Sequence, residues 1–125
     1  MFGSSGSGGN LTSLISSGTK VHGNIEFSDH MEVEGELVGN IVAAESARAT
    51  LRVAEGGVIR GEIRVPSVVI NGRVEGDIFA SEHIELASKA NIEGTIYYKS
   101  MEMVKGAVVS GQLHQWQDDK IAKIE

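Results

Sequence analysis

Six short segments of this chain share one arrangement of apolar and polar positions. Each reads small residue, any residue, aliphatic, any residue, Gly, any residue, aliphatic. The copies are Thr19/Val21/Gly23/Ile25, Gly35/Leu37/Gly39/Ile41 and Gly57/Ile59/Gly61/Ile63, then Gly72/Val74/Gly76/Ile78, Ala90/Ile92/Gly94/Ile96 and Ala107/Val109/Gly111/Leu113. Apolar residues alternate with polar or variable ones, the period of a strand that buries one face. A further apolar pair precedes most copies: Met31/Val33, Leu51/Val53, Val68/Ile70, Ile84/Leu86 and Met101/Met103. The gap from this pair to the next small residue is two residues in the short turns and four in the longer ones.

The central Gly falls at 23, 39, 61, 76, 94 and 111, a mean spacing of 17.6 residues. That period is too short for a propeller blade or a helical-pair repeat. It suits one coil of a solenoid whose parallel strands stand about 4.8 Å apart. Stacking the copies places Ile25, Ile41, Ile63, Ile78, Ile96 and Leu113 in one interior ladder. Val21, Leu37, Ile59, Val74, Ile92 and Val109 form a second. Between them runs the column Gly23, Gly39, Gly61, Gly76, Gly94 and Gly111. Either its inward face has no room for a side chain, or its backbone adopts a conformation closed to other residues. The segment Ala44-Glu45-Ser46-Ala47-Arg48 lies in the longest spacing and is expected to loop outward. An antiparallel sandwich with Gly in its turns would not hold the same Gly in phase six times. The expected fold is all-β, one parallel solenoid of about six coils over residues 11–116, between a Gly/Ser-rich tail at 1–10 and a polar tail at 117–125.

Composition narrows the picture. Val and Ile number 25 against 6 Leu, which favours strands. The absence of Cys excludes disulfides and thiolate chemistry. A net charge of −6 argues against nucleic acid as partner, because phosphate binding needs a concentrated basic surface. No apolar run approaches the length of a membrane span, and the Gly/Ser-rich start lacks the basic and apolar regions of a signal peptide. A cytoplasmic protein is expected.

Little catalytic chemistry is apparent. His30 and His83 occupy matching positions three coils apart, about 14 Å at strand spacing, too far to share one metal ion. His22 falls in an outward column with Val38, Arg60, Glu75, Glu93 and Ser110, and His114 follows the last coil. No metal site is expected. Glu62 with Asp77, and Glu75 with Glu93, are neighbours on outward columns, where no cleft would split their pKa values. They read as solvated charges that discourage sideways pairing. No nucleophile elbow or phosphate loop is present, so no nucleotide or other cofactor is expected.

Taken in order, these residues resemble the bactofilins, bacterial cytoskeletal proteins that polymerise without nucleotide. The resemblance begins with Leu14-Ile15-Ser16-Ser17-Gly18-Thr19-Lys20-Val21-His22-Gly23-Asn24-Ile25. It continues through Val33-Glu34-Gly35-Glu36-Leu37-Val38-Gly39-Asn40-Ile41 and ends with Gly106-Ala107-Val108-Val109-Ser110-Gly111-Gln112-Leu113. It implies a right-handed parallel β-helix, disordered tails and end-to-end assembly into filaments without overall polarity. It also implies a scaffold for cell-wall and cell-shape enzymes. Family members often sit on the inner membrane through a short N-terminal stretch that starts Met-Phe, as Met1 and Phe2 do here. This tail has no Lys or Arg before Lys20 to attract anionic lipid.

The physical reading of the ends agrees with that resemblance. A solenoid is an open sheet whose terminal coils expose unpaired backbone groups above an apolar interior, so they must be capped or used. The chain has no amphipathic helix long enough to cap either end. Leu11, Leu14, Ile15 and Val21 are the candidates for assembly at one end, and Val109, Leu113 and Trp116 at the other. Trp116 fits equally as an intramolecular lid. Two other classes fit the pattern less well. Left-handed β-helix acyltransferases have coils of similar mean length, but aliphatics do not recur here every six residues. A monomeric binding platform needs an outward column of identical residues, and Asn24, Asn40, Glu62, Asp77, Thr95 and Gln112 are polar but mixed.

Overall fold

A computed structural model describes residues 12–43 and 48–115. Among them every strand pairs in parallel and no helix occurs. The chain winds through six three-sided coils. The first side stacks Thr12–Ile15, His30–Val33, Thr50–Val53, Ser67–Ile70, His83–Leu86 and Met101–Met103 in sequence order. The second stacks Lys20–His22, Glu36–Val38, Val58–Arg60, Arg73–Glu75 and the first halves of Asn91–Tyr98 and Val108–Gln115. The third stacks Ile25–Phe27, Ile41–Ala43, Ile63–Arg64, Ile78–Ala80 and the second halves of those two long strands.

Alternation decides what lies inside. On the third side Ile25, Ile41, Ile63, Ile78, Ile96 and Leu113 are successive register partners. On the second, Val21, Leu37, Ile59, Val74, Ile92 and Val109 are. On the first, the inward pairs form a third wall, with Ile15, Val33, Val53, Ile70, Leu86 and Met103 in one column. The buried core is wholly apolar, with no buried polar or charged residue among the described ones. Such a core has no polar group to satisfy, so each inner coil is stabilised by burial of about 1.5–3 kcal/mol per large aliphatic.

The second and third sides meet at the Gly column, and both readings of that column hold. All six glycines have positive φ, between 130° and 156°. From Gly39 onward a Cβ would also fall on the carbonyl oxygen of the glycine one coil earlier. Gly23, on the first coil, has no such neighbour and nothing would meet its Cβ.

The mixed polar column beside the glycines has a structural task. The Asn40 N–H donates to Asn24 Oδ1 at 3.0 Å, the Glu62 N–H to Asn40 Oδ1 at 2.9 Å and the Thr95 N–H to Asp77 Oδ1 at 3.0 Å. These side chains satisfy backbone donors at the corner, where the coil turns.

Candidate functional site at the solenoid ends

The inward ladders are the same chemistry from coil to coil, yet their exposure is not. Ile41, Ile63, Ile78 and Ile96 are fully buried, while Ile25 is half-buried and Leu113 is 44% exposed. In the second ladder Leu37, Ile59, Val74 and Ile92 are fully buried, while Val21 and Val109 are only partly so. Each end therefore presents the rims of the interior columns. Among the described residues, the strands beneath those rims are paired on one side only.

The two ends differ. At the first coil Ile15, Phe27 and the adjoining Met31 are buried, and Leu14 is the one large apolar residue there left exposed among those described. Leu14 does not extend an interior ladder. It pairs with Glu32 in an outward column. At the last coil Met103, Val104, Val108 and Leu113 are all exposed. Met103 ends the third wall, opposite the buried Leu86. The pairing of Met101/Met103 with earlier inward pairs marks it in the sequence, although the ladders of the Gly pattern drew attention elsewhere. Leu11 and Trp116, the other expected end residues, lie outside the described residues, as do Met1, Phe2 and the loop residues 44–47.

The flanks carry charge, but not as independent solvated groups. Glu36, Arg60, Glu75, Arg73 and Glu93 form one ion-paired chain across four coils of the second side. Within it the Glu75 carboxylate is held below the usual range, first by the Arg73 hydrogen bond at 2.7 Å and then by Arg60. Arg73 is correspondingly raised by Glu75. Arg52 pairs with Glu32, and Arg64 with Glu62. On the third side an outward column stacks rings along the solenoid axis. Phe79 and Tyr97 lie 4.5 Å apart and Tyr97 and His114 5.3 Å apart, with Arg64 4.0 Å above Phe79. The rings face one another and leave mostly their edges to solvent.

His30 and His83 do share one column, with Thr50 and Ser67 between them. The strands also bring His83, Glu85 and Glu102 together, with ligand atoms within 4.8 Å of one another. Comparing histidines only with histidines overlooks that cluster. Its signal is His83-x-Glu85 on one outward face, with Glu102 one coil on.

Sealed inner coils and, among the described residues, exposed apolar rims at the terminal coils define a class: a parallel β-solenoid with apolar ends. Residues 13–114 match the family described as "Bactofilin: Polymer-forming cytoskeletal", and the chain belongs to the bactofilin family. Bactofilin BacO of Myxococcus xanthus (strain DK1622) is 30% identical over 100 residues, covering 80% of this chain and 76% of BacO. Bactofilin BacP of the same organism is 26% identical over 93 residues, covering 74% of this chain and 37% of BacP. No solved structure matches the chain at a significant level. A polymer-forming cytoskeletal family gives the chain a cytoskeletal scaffold role in which it associates with itself. No helix among the described residues is long and apolar enough to cross a membrane.

Proposed function

We propose that the chain is the subunit of a nucleotide-independent filament, built by stacking solenoids end to end with like ends in contact. The reading rests on one observation: the interior columns of the second and third sides, fully buried through the inner coils, emerge exposed or half-buried at both ends. A second copy stacked there would continue the columns and pair the free strand edges. Like ends meet across a two-fold axis, so the facing edge strands run antiparallel and each residue finds its partner reciprocally. A filament assembled this way has no overall polarity. Leu113 is already more than half buried, so covering the rest of it is worth about 1 kcal/mol, before Met103, Val108 and the backbone hydrogen bonds are counted. Assembly draws on surface burial and needs no fuel, so the polymer is static rather than treadmilling.

The proposed setting is the cytoplasmic face of the inner membrane, where the filament positions cell-wall and cell-shape enzymes. This part rests on the family resemblance and on Met1 and Phe2, which lie outside the described residues. Negative-stain microscopy of the purified chain without nucleotide should show long unbranched filaments; a chain that stays monomeric at high concentration overturns the reading. Deletion of residues 1–10 should abolish co-sedimentation with liposomes and leave filaments intact. Equal co-sedimentation of both forms removes the membrane claim.

A further inference from the structure

Two carboxylates facing each other across neighbouring strands repel, and something nearby must offset that. Among the register partners of the described strands there are two such pairs, Glu75 with Glu93 and Glu85 with Glu102. Their surroundings have the same build. Arg73 stands two residues before Glu75 on its strand, and His83 stands two before Glu85. At a period of two, each shares the outward face of its glutamate.

In the first pair the bridge is visible. Arg73 Nε lies 2.7 Å from Glu75 Oε2, and Arg73 Nη2 lies 3.1 Å from Glu93 Oε2. In the second, an imidazole stands where the guanidinium would be. His83 Nδ1 is 2.8 Å from Ser100 Oγ, which fixes the ring against the next coil. Neither Glu85 nor Glu102 has an ion-pair partner among the described residues. A guanidinium is always a cation, whereas a neutral imidazole offers a lone pair. A deprotonated imidazole nitrogen and two carboxylates, brought together with ligand atoms within 4.8 Å of one another, are the donor set of a metal site.

We propose that His83, Glu85 and Glu102 bind a divalent transition-metal ion, with zinc as the reference, in the bridging place that Arg73 fills at Glu75 and Glu93. The imidazole selects a transition metal over magnesium or calcium, which prefer all-oxygen sets. Ligand atoms within 4.8 Å of one another can close around one ion by side-chain rotation, since zinc takes N and O ligands at about 2.0–2.2 Å. Water completes the coordination of so open a site. His83 and Glu85 belong to the fifth coil and Glu102 to the sixth, so the ion ties the last coil to its neighbour. That tie bears on assembly only if filaments form through the last coil, as proposed above; the binding itself does not depend on that reading.

The test is calorimetric titration of the purified full chain with zinc chloride at neutral pH. The wild type should take up one zinc per chain and melt at a higher temperature with zinc than with a chelator. His83→Gln and Glu102→Gln should bind about tenfold or more weakly and lose the thermal shift. Circular dichroism should show both variants folded, and Glu85→Gln provides a third arm. His30→Gln, at the matching position three coils away, should bind like the wild type. Absence of zinc uptake at millimolar metal, or equal uptake by His83→Gln, overturns the proposal. Because zinc uptake is read on subunits whether or not they assemble, its failure is distinguishable from a failure to form filaments.

Discussion

Ile78 and Leu113 stand in the same inward column two coils apart, and their surroundings differ in one respect. Ile78 has Ile63 on one side and Ile96 on the other, and is fully buried. Leu113 has Ile96 on one side and no described register partner on the other, and is 44% exposed. The sequence treats them alike because the fold needs the same residue type in every coil. What separates them is position in the stack. A repeat fold carries its own adhesive: the residues that join coil to coil become, at the last coil, residues that can join chain to chain.

That comparison can be broken most severely from the inner side. Ile78→Lys places an unpaired charge among fully buried aliphatics, at a cost of several kcal/mol, a large part of the stability of a domain this size. The variant should lose its strand signal in circular dichroism at ambient temperature. A melt like the wild type's would refute the register.

A smaller effect separates inner from end coil at the glycine corner. Gly94 and Gly23 share positive φ, but only Gly94 sits against the carbonyl of an earlier coil. Gly94→Ala should cost about 3 kcal/mol or more, combining strained φ with a backbone clash. Gly23→Ala carries the φ strain alone, about 1–2 kcal/mol. Chemical denaturation of the two variants measures the difference; equal losses would mean that the close approach contributes nothing.

The smallest effect lies on the flank. Glu75 is held below its ordinary value in the folded chain, so its stabilising pairing is present above the unfolded value, near pH 4.5, and is lost as pH falls through the lower folded value. Glu75→Gln should flatten the acid limb of the melting curve below about pH 5, modestly, because the group is exposed. An unchanged acid limb would mean that the Arg73 and Arg60 bridges do not persist in solution.

The pattern of Gly and aliphatics makes coil number, register and the walls of the second and third sides legible in the sequence, because each of those walls repeats one residue type in one phase. The dual reason for the Gly column was also open to sequence reading, as two alternatives that prove to act together. What stayed hidden are the contacts between unlike residues in different coils. Arg60 meets Glu36 and Arg73 meets Glu93 across more than a full coil, and the turn lengths between them vary. Asn40, an unremarkable polar residue by composition, acts as an acceptor for the next coil. His83 joins Glu85 and Glu102 only through side chains that reach across from one coil to the next. Met103 ends the first-side wall, which lies outside the Gly pattern.

The central claim is that the last coil is a sealed inner coil lacking its neighbour. Leu113→Arg tests it directly, read by sedimentation velocity and negative-stain microscopy at high salt without nucleotide. The account predicts wild-type filaments that survive salt, because apolar end contacts are not screened as flank charges are. It predicts that the variant stops at dimers joined through their first coils, with strand content nearly unchanged. Long filaments from folded Leu113→Arg would contradict it.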